Sequence, residues 1–128
     1  MSGEIVAVIF DQKEHFLLIR KRVNNSDQSW SFPSFQGWSC PDCNRALLQK
    51  TLDMLGLKKE GYVVEERKPI KIGKSFYHPR LISLKPAVSL DRVVSEKAQS
   101  RRFVSCDDFA KMSNMISDHQ LLFEKVMK

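Results

Sequence analysis

The strongest constraint in this sequence is an apolar run close to its start. Ile5-Val6-Ala7-Val8-Ile9-Phe10 is apolar throughout and rich in β-branched side chains. Such side chains are stiff at χ1 and suit a pleated strand better than a helix. Polar Asp11-Gln12-Lys13-Glu14 interrupts the run, and Phe16-Leu17-Leu18-Ile19 restores it. The pattern predicts two strands around a tight turn, so whatever forms is built on a sheet.

The remaining elements follow from periodicity and punctuation. Asn24 to Gln28 reads as a loop, and Trp30-Ser31-Phe32-Pro33 as a short strand closed by proline. Asp42 to Leu55 is the clearest helix. Ala46, Leu47, Thr51, Met54 and Leu55 recur at helical spacing and predict one apolar face. Asp42 is placed to cap its start and Gly56 to end it. Tyr62 to Val64, Lys68 to Ile72, Ser75 to Leu84 and Phe103 to Ser105 read as further strands. Asp107 to Met112 and Asp118 to Met127 read as helices, the second turning Leu121, Leu122, Val126 and Met127 inward. No repeat, low-complexity tract or linker interrupts the pattern. The expectation is a single domain over residues 1–128 of the α/β (α+β) class.

At 128 residues and 42% hydrophobic content, such a domain can bury one core without disulfide or metal staples. A formal charge of +6 and a pI near 9.4 favour anionic partners: a nucleotide, RNA or an acidic protein surface. No apolar run approaches the roughly 20 residues that span a bilayer, and Met1-Ser2-Gly3-Glu4 shows no basic-then-apolar leader. Three cysteines are too few for a disulfide scaffold and point to a reducing, intracellular compartment such as the cytoplasm. Nothing in the sequence speaks to oligomeric state.

Four features resemble one known family. The opening strand, turn and Leu17-Leu18-Ile19-Arg20 strand end in basic Lys21-Arg22. Trp30-x-Phe32-Pro33 precedes the helix, Gly56-Leu57 closes it, and Phe103-Val104-Ser105-x-Asp107 leads into another helix. In this order, and over nearly the whole chain, they resemble the Nudix (MutT-like) hydrolases, a mixed β-sheet sandwiched between α-helices. The family's box has the form Gly-x5-Glu-x7-Arg-Glu-x-x-Glu-Glu-x-Gly. Its carboxylates hold Mg²⁺ or Mn²⁺ against a pyrophosphate, and the metal neutralises phosphate charge and activates water.

Laid ungapped from Trp30, the box places Phe35 at the first glycine and Pro41 at the first glutamate. Gln49 stands at the arginine, Lys50 at the next glutamate, and Asp53 and Met54 at the final acidic pair. One acid stands where four are expected. Two unit charges about 4 Å apart interact by roughly 4 kcal/mol at an effective dielectric of 20, so Lys50 opposes an incoming divalent cation. The same ammonium can hold a phosphate directly. The resemblance therefore implies a Nudix-like module that binds nucleotide, RNA or a protein partner, with no metal or other cofactor. The alternative is a divergent hydrolase of nucleoside diphosphate-linked substrates. It would use Mg²⁺ or Mn²⁺ with Asp53, Glu96 and a carboxylate from Glu65 or Glu66.

Ligand-binding candidates are Arg20 and Arg22, which the resemblance places beside the substrate cleft, together with Lys50 and the rings of Phe35, Trp38 and Tyr77. Basic groups beside stackable rings suit a base and its phosphate. Cys40-Pro41-Asp42-Cys43 adds a separate possibility. A Cys-x-x-Cys pair at a helix N-terminus has a lowered thiol pKa, which makes Cys40 and Cys43 redox candidates. A zinc site needs four ligands, and Cys106, His15, His78 and His119 show no paired spacing to complete one.

Overall fold

The computed structural model describes residues 3–13, 15–23, 27–86, 88, 101–112 and 117–126. Strands β1 (Glu4–Phe10) and β2 (His15–Val23) form the expected antiparallel pair. The Asp11 carboxylate closes the turn between them, accepting from the backbone N–H groups of Lys13 at 3.0 Å and His15 at 2.8 Å. An aspartate at the head of a turn commonly bonds to the backbone two residues on.

Next come β3 (Asp27–Ser31), β4 (Ser34–Gln36), helix α1 (Pro41–Met54) and a 3₁₀ turn (Lys59–Gly61). Strands β5 (Tyr62–Glu66), β6 (Ile70–Ile72), β7 (Ser75–Leu84) and β8 (Arg101–Ser105) follow. The described chain ends with helices α2 (Cys106–Lys111) and α3 (Ser117–Val126). The main path across the sheet runs β3-β2-β1-β7-β5, with β4 on β1, β6 on β7 and β8 on β2. The sheet is mixed because β1 and β7 run parallel while the pairs on either side are antiparallel.

Strand alternation sends side chains to opposite faces, and each face finds a helix. Val6 and Val8 of β1, Phe16 and Leu18 of β2, and Tyr77 and Leu81 of β7 pack against Phe109 of α2 and Leu122, Phe123 and Val126 of α3. Ala7, Ile9, Leu17, Ile82 and Leu84 pack against Leu48, Leu52 and Leu55 at α1. The sandwich expected from the resemblance is present. Trp30 and Phe32 are core residues, and Phe32 is fully buried.

Several local expectations need correction. The loop assigned to Asn24 to Gln28 is already strand from Asp27, because Asp27 and Gln28 pair with Val23 and Arg22 across the hairpin. Residues 24–26 lie outside the described residues. The apolar face of α1 is Leu48, Leu52 and Leu55, whereas Ala46 and Met54 face outward and Met54 is 73% exposed. Three leucines bury more apolar area than an alanine and a terminal methionine, and they set the rotation of the helix. In α3, Leu121 is exposed while Phe123 is buried, and Met127 is outside the described residues. The β4 strand was not expected; its three residues pair with Glu4, Ile5 and Val6.

Candidate functional site

Helix α1 begins with Pro41, which has no N–H to leave unsatisfied in the first turn. The cap is Cys40 rather than Asp42: the Cys40 sulfur accepts from the Cys43 N–H at 3.3 Å. Asp42 lies one residue inside, where its charge suits the helix dipole and its carboxylate meets Arg45 Nη1 at 3.1 Å. Asn44 reaches back over the preceding loop. Its Oδ1 accepts from the Trp38 N–H at 2.8 Å and its Nδ2 donates to the Trp38 carbonyl at 2.9 Å. That bidentate clamp fixes the loop while leaving the Trp38 side chain 65% exposed. The helix ends at Gly56, whose φ of 85° is left-handed, with the Leu57 N–H donating to the Leu52 carbonyl at 3.0 Å.

The outward face of α1 shows Lys50, Asp53 and Met54, all exposed. Residues four apart on a helix are neighbours, so Lys50 and Met54 share one stripe. One Asp53 oxygen accepts from Gln49 Nε2 at 3.1 Å. Mg²⁺ and Mn²⁺ want several hard oxygen ligands. This stripe offers one carboxylate beside an ammonium and a thioether. Among the described residues, no three His, Cys, Asp or Glu side chains converge as a metal ion requires. The described residues of this stripe do not by themselves supply the donors of the divalent ion that the resemblance implies. Water screens the exposed Lys50, so its repulsion of a cation is smaller here than in a closed site.

Beside the start of α1 lies an ionic cluster that joins helix to sheet. Glu66 of β5 stands opposite Arg80 of β7. Its Oε2 accepts from Arg45 Nε at 3.1 Å, and Arg80 Nε lies 4.0 Å away. The Arg45 hydrogen bond, helped by the charge of Arg80, holds the Glu66 carboxyl below the usual carboxylate range. Burial lowers Arg80, and burial with the nearby Arg80 charge lowers His78. Glu65 pairs with Arg67, which lies just past the end of β5.

On the other side of the sheet, at the N-terminal ends of β1 and β7, lies an open depression of about 380 Å³. It is lined by Gly3, Glu4, Gln36, Lys74, Ser75, Phe76 and Tyr77. The Tyr77 hydroxyl donates to the Asp118 carboxylate of α3. Burial, and then that hydrogen bond, push its phenol up to about 12. His119 lies beside it, 2% exposed. Its Nδ1 accepts from the Phe32 N–H at 3.1 Å, and its Nε2 lies 3.4 Å from a Glu4 oxygen. Lys71 lies over the Phe76 ring, 5.6 Å from its centroid.

Neither a family profile nor a curated protein matches the sequence. Solved structures do match it. The C-terminal domain of mouse MUTYH, solved in complex with human PCNA, is 15% identical with a TM-score of 0.72, covering 99% of this chain and 88% of that one. A mutT/nudix family protein from Listeria innocua is 12% identical with a TM-score of 0.71, covering 98% and 90%. The NUDIX domain of Shewanella oneidensis NrtR, solved with ADP ribose, is 14% identical with a TM-score of 0.56, covering 97% and 84%. The fold is the Nudix fold.

Within the Nudix frame the sequence candidates separate. Lys50 and Asp53 share the outward side of α1, and Cys40 and Cys43 are both exposed at its start. Phe35 is half-buried on β4 opposite Ile5 and packs against the α1-side core. Tyr77 is buried with its hydroxyl engaged, and contributes a wall of the depression. Arg20 and Arg22 lie on β2 opposite Trp30 and Gln28. Glu96 lies outside the described residues. Glu66 belongs to the arginine cluster rather than to a carboxylate group with Asp53. Sequence reasoning missed Arg45, Arg80, the Asn44 clamp and the buried bonding role of His119, which it weighed only as a zinc ligand. Only the β5–β7 register brings Glu66 opposite Arg80, and no local pattern signals that pairing.

Proposed function

We propose that this chain is a single Nudix-fold domain that binds a nucleotide-type ligand and does not hydrolyse it by the family's metal-dependent route. The observation that carries this reading is the composition of the exposed α1 stripe. It has an ammonium at position 50, a thioether at position 54 and a single carboxylate already bonded to Gln49. Holding a divalent ion against a pyrophosphate takes several anionic oxygens, and the stripe has one to offer.

The depression supports the binding half of the reading. Its volume falls within the range of small-molecule sites. Its walls combine the Lys74 ammonium, the Gln36 amide and the rings of Phe76 and Tyr77. A cation and an amide suit phosphate and base edges, and an aromatic wall suits a base. Two Nudix-fold neighbours were solved with partners of the relevant kinds, one with ADP ribose and one with PCNA.

The test has two arms. The purified chain is incubated with Mg²⁺ or Mn²⁺ and a panel of nucleoside diphosphate-linked compounds. Enzyme-like release of a nucleoside monophosphate sinks the reading. Calorimetry with ADP-ribose and dinucleoside polyphosphates then measures binding without metal, expected to weaken on Lys74→Glu and with rising salt. A Lys50→Glu/Met54→Glu variant is expected to gain Mn²⁺ affinity, because two added carboxylates join Asp53 on one helix side.

A further inference from the structure

We infer that Cys40 and Cys43 form a thiol–disulfide exchange site whose substrates are low-molecular-weight disulfides of the glutathione disulfide type. The inference is independent of nucleotide binding and rests on the first turn of α1. Both cysteines are free and exposed, so a disulfide of that size can reach either sulfur. Cys40 is the cap and Cys43 the third helical residue. The Cys40 sulfur accepts from the Cys43 N–H at 3.3 Å. That bond ties the two cysteines together within one helical turn. The Asn44 clamp on Trp38 holds the loop entering that turn, which keeps the cap in place.

The pair is asymmetric in the way exchange requires. Hydrogen bonds from Cys43 draw the Cys40 thiol below its ordinary range, against the opposing charge of Asp42. The same hydrogen bond, with the charges of Cys40 and Asp42, holds Cys43 above it. Cys40 is thus the attacking thiolate and Cys43 the resolving thiol. Cys40 attacks one sulfur of the small disulfide; its S–S bond breaks, a new S–S bond forms to Cys40, and one small thiolate leaves. Cys43 then gives its proton to solvent and attacks the Cys40 sulfur, expelling the second thiolate. One small disulfide is reduced to two thiols as the protein's two thiols are oxidised to one disulfide.

The experiment equilibrates the reduced full-length chain in mixtures of reduced and oxidised glutathione, quenches with acid, alkylates and weighs the intact protein. Wild type and Cys106→Ser are expected to lose two alkylatable thiols with no glutathione attached. Cys43→Ser should trap one glutathionyl group on Cys40, and Cys40→Ser should acquire one far more slowly. Should a serine variant fail to fold, brief alkylation of the wild type with peptide mapping replaces it, with Cys40 labelled before Cys43. The inference is overturned if both thiols survive excess oxidised glutathione, or if the disulfide forms only through Cys106 or between chains. Equal rates of modification at Cys40 and Cys43 overturn it too.

Discussion

Replacing His119 by alanine tests how the C-terminal helix is locked to the sheet beside the depression. The imidazole is 2% exposed and occupies one acceptor and one donor position at once. Nδ1 takes the Phe32 N–H at 3.1 Å, so the ring hydrogen sits on Nε2, which faces Glu4 at 3.4 Å. Alanine leaves the Phe32 amide buried without its acceptor, a loss of about 1–3 kcal/mol. It also empties space between the rings of Phe32 and Tyr77, whose centroids lie 6.0 and 6.1 Å from the imidazole. Truncating a buried phenylalanine costs about 3–5 kcal/mol, and the smaller, partly polar imidazole warrants roughly half of that. Together the loss comes to about 3–5 kcal/mol, a large share of the roughly 5–15 kcal/mol typical of a domain. For a chain of this length each kcal/mol lowers Tm by about 3–5 °C, so a fall of at least about 10 °C is expected in thermal melts followed by circular dichroism. His119→Asn puts an amide oxygen near the position of Nδ1 and should recover the Phe32 bond, about 1–3 kcal/mol of the loss. An alanine variant within about 0.5 kcal/mol of wild type, or an asparagine variant no better than alanine, would falsify the two-bond account.

Three further outcomes are expected. Glu66→Gln should cost less than about 1 kcal/mol in urea melts at neutral pH, because the Arg45–Glu66 pair is largely solvated. The Glu66 carboxyl is lowered in the folded state, so that cost should be present above the ordinary carboxylate range and vanish as pH falls through it. Tyr77→Phe removes the hydroxyl bonded to Asp118 and should lower stability by about 1–2 kcal/mol. Because the Tyr77 phenol is raised to about 12, its contribution should be full below pH of about 10 and lost as pH climbs past it, as ultraviolet titration beside melts can show. Gly56→Ala forces a side chain into a φ of 85° and should cost about 1–2 kcal/mol in the same melts, with helix content unchanged.

The elements were legible where a residue's neighbours in sequence decide its state. The Ile5 to Phe10 and Phe16 to Ile19 runs, the Ser75 to Leu84 strand and the Gly56 stop all lie where periodicity and glycine placed them. Helix orientation was less legible. Leu47 and Leu48 are equivalent as letters, and only the sheet surface beneath decides that Leu48 is buried and Met54 turns outward. The candidate site was legible along α1 and opaque across the sheet. Asp42, Cys40 and Cys43 act within one helical turn, so spacing alone brings them together. Arg80, Glu66 and Arg45 come from three elements, and His119, Glu4 and Phe32 from a helix, a strand and the link between β3 and β4. Such sets become visible only when strand register is known.

The two sides of α1 explain how a Nudix fold can stand without the family's acids. Leu48, Leu52 and Leu55 point into the core, and together with Leu57 they contribute the apolar burial that seats the helix on the sheet. Positions 50, 53 and 54 face outward and contribute almost nothing to that burial. Several carboxylates on one stripe repel one another unless a cation neutralises them, so an acidic box is a local cost that metal binding offsets. With Lys50 and Met54 on the stripe, that repulsion between neighbouring carboxylates is absent. The same reasoning gives a sign to the double variant. Lys50→Glu/Met54→Glu should be less stable than wild type in metal-free buffer and recover as Mn²⁺ is added, since an ion that binds only the folded state stabilises it by mass action. A metal-free melt no lower than wild type would mean that residues 50 and 54 do not share a stripe with Asp53.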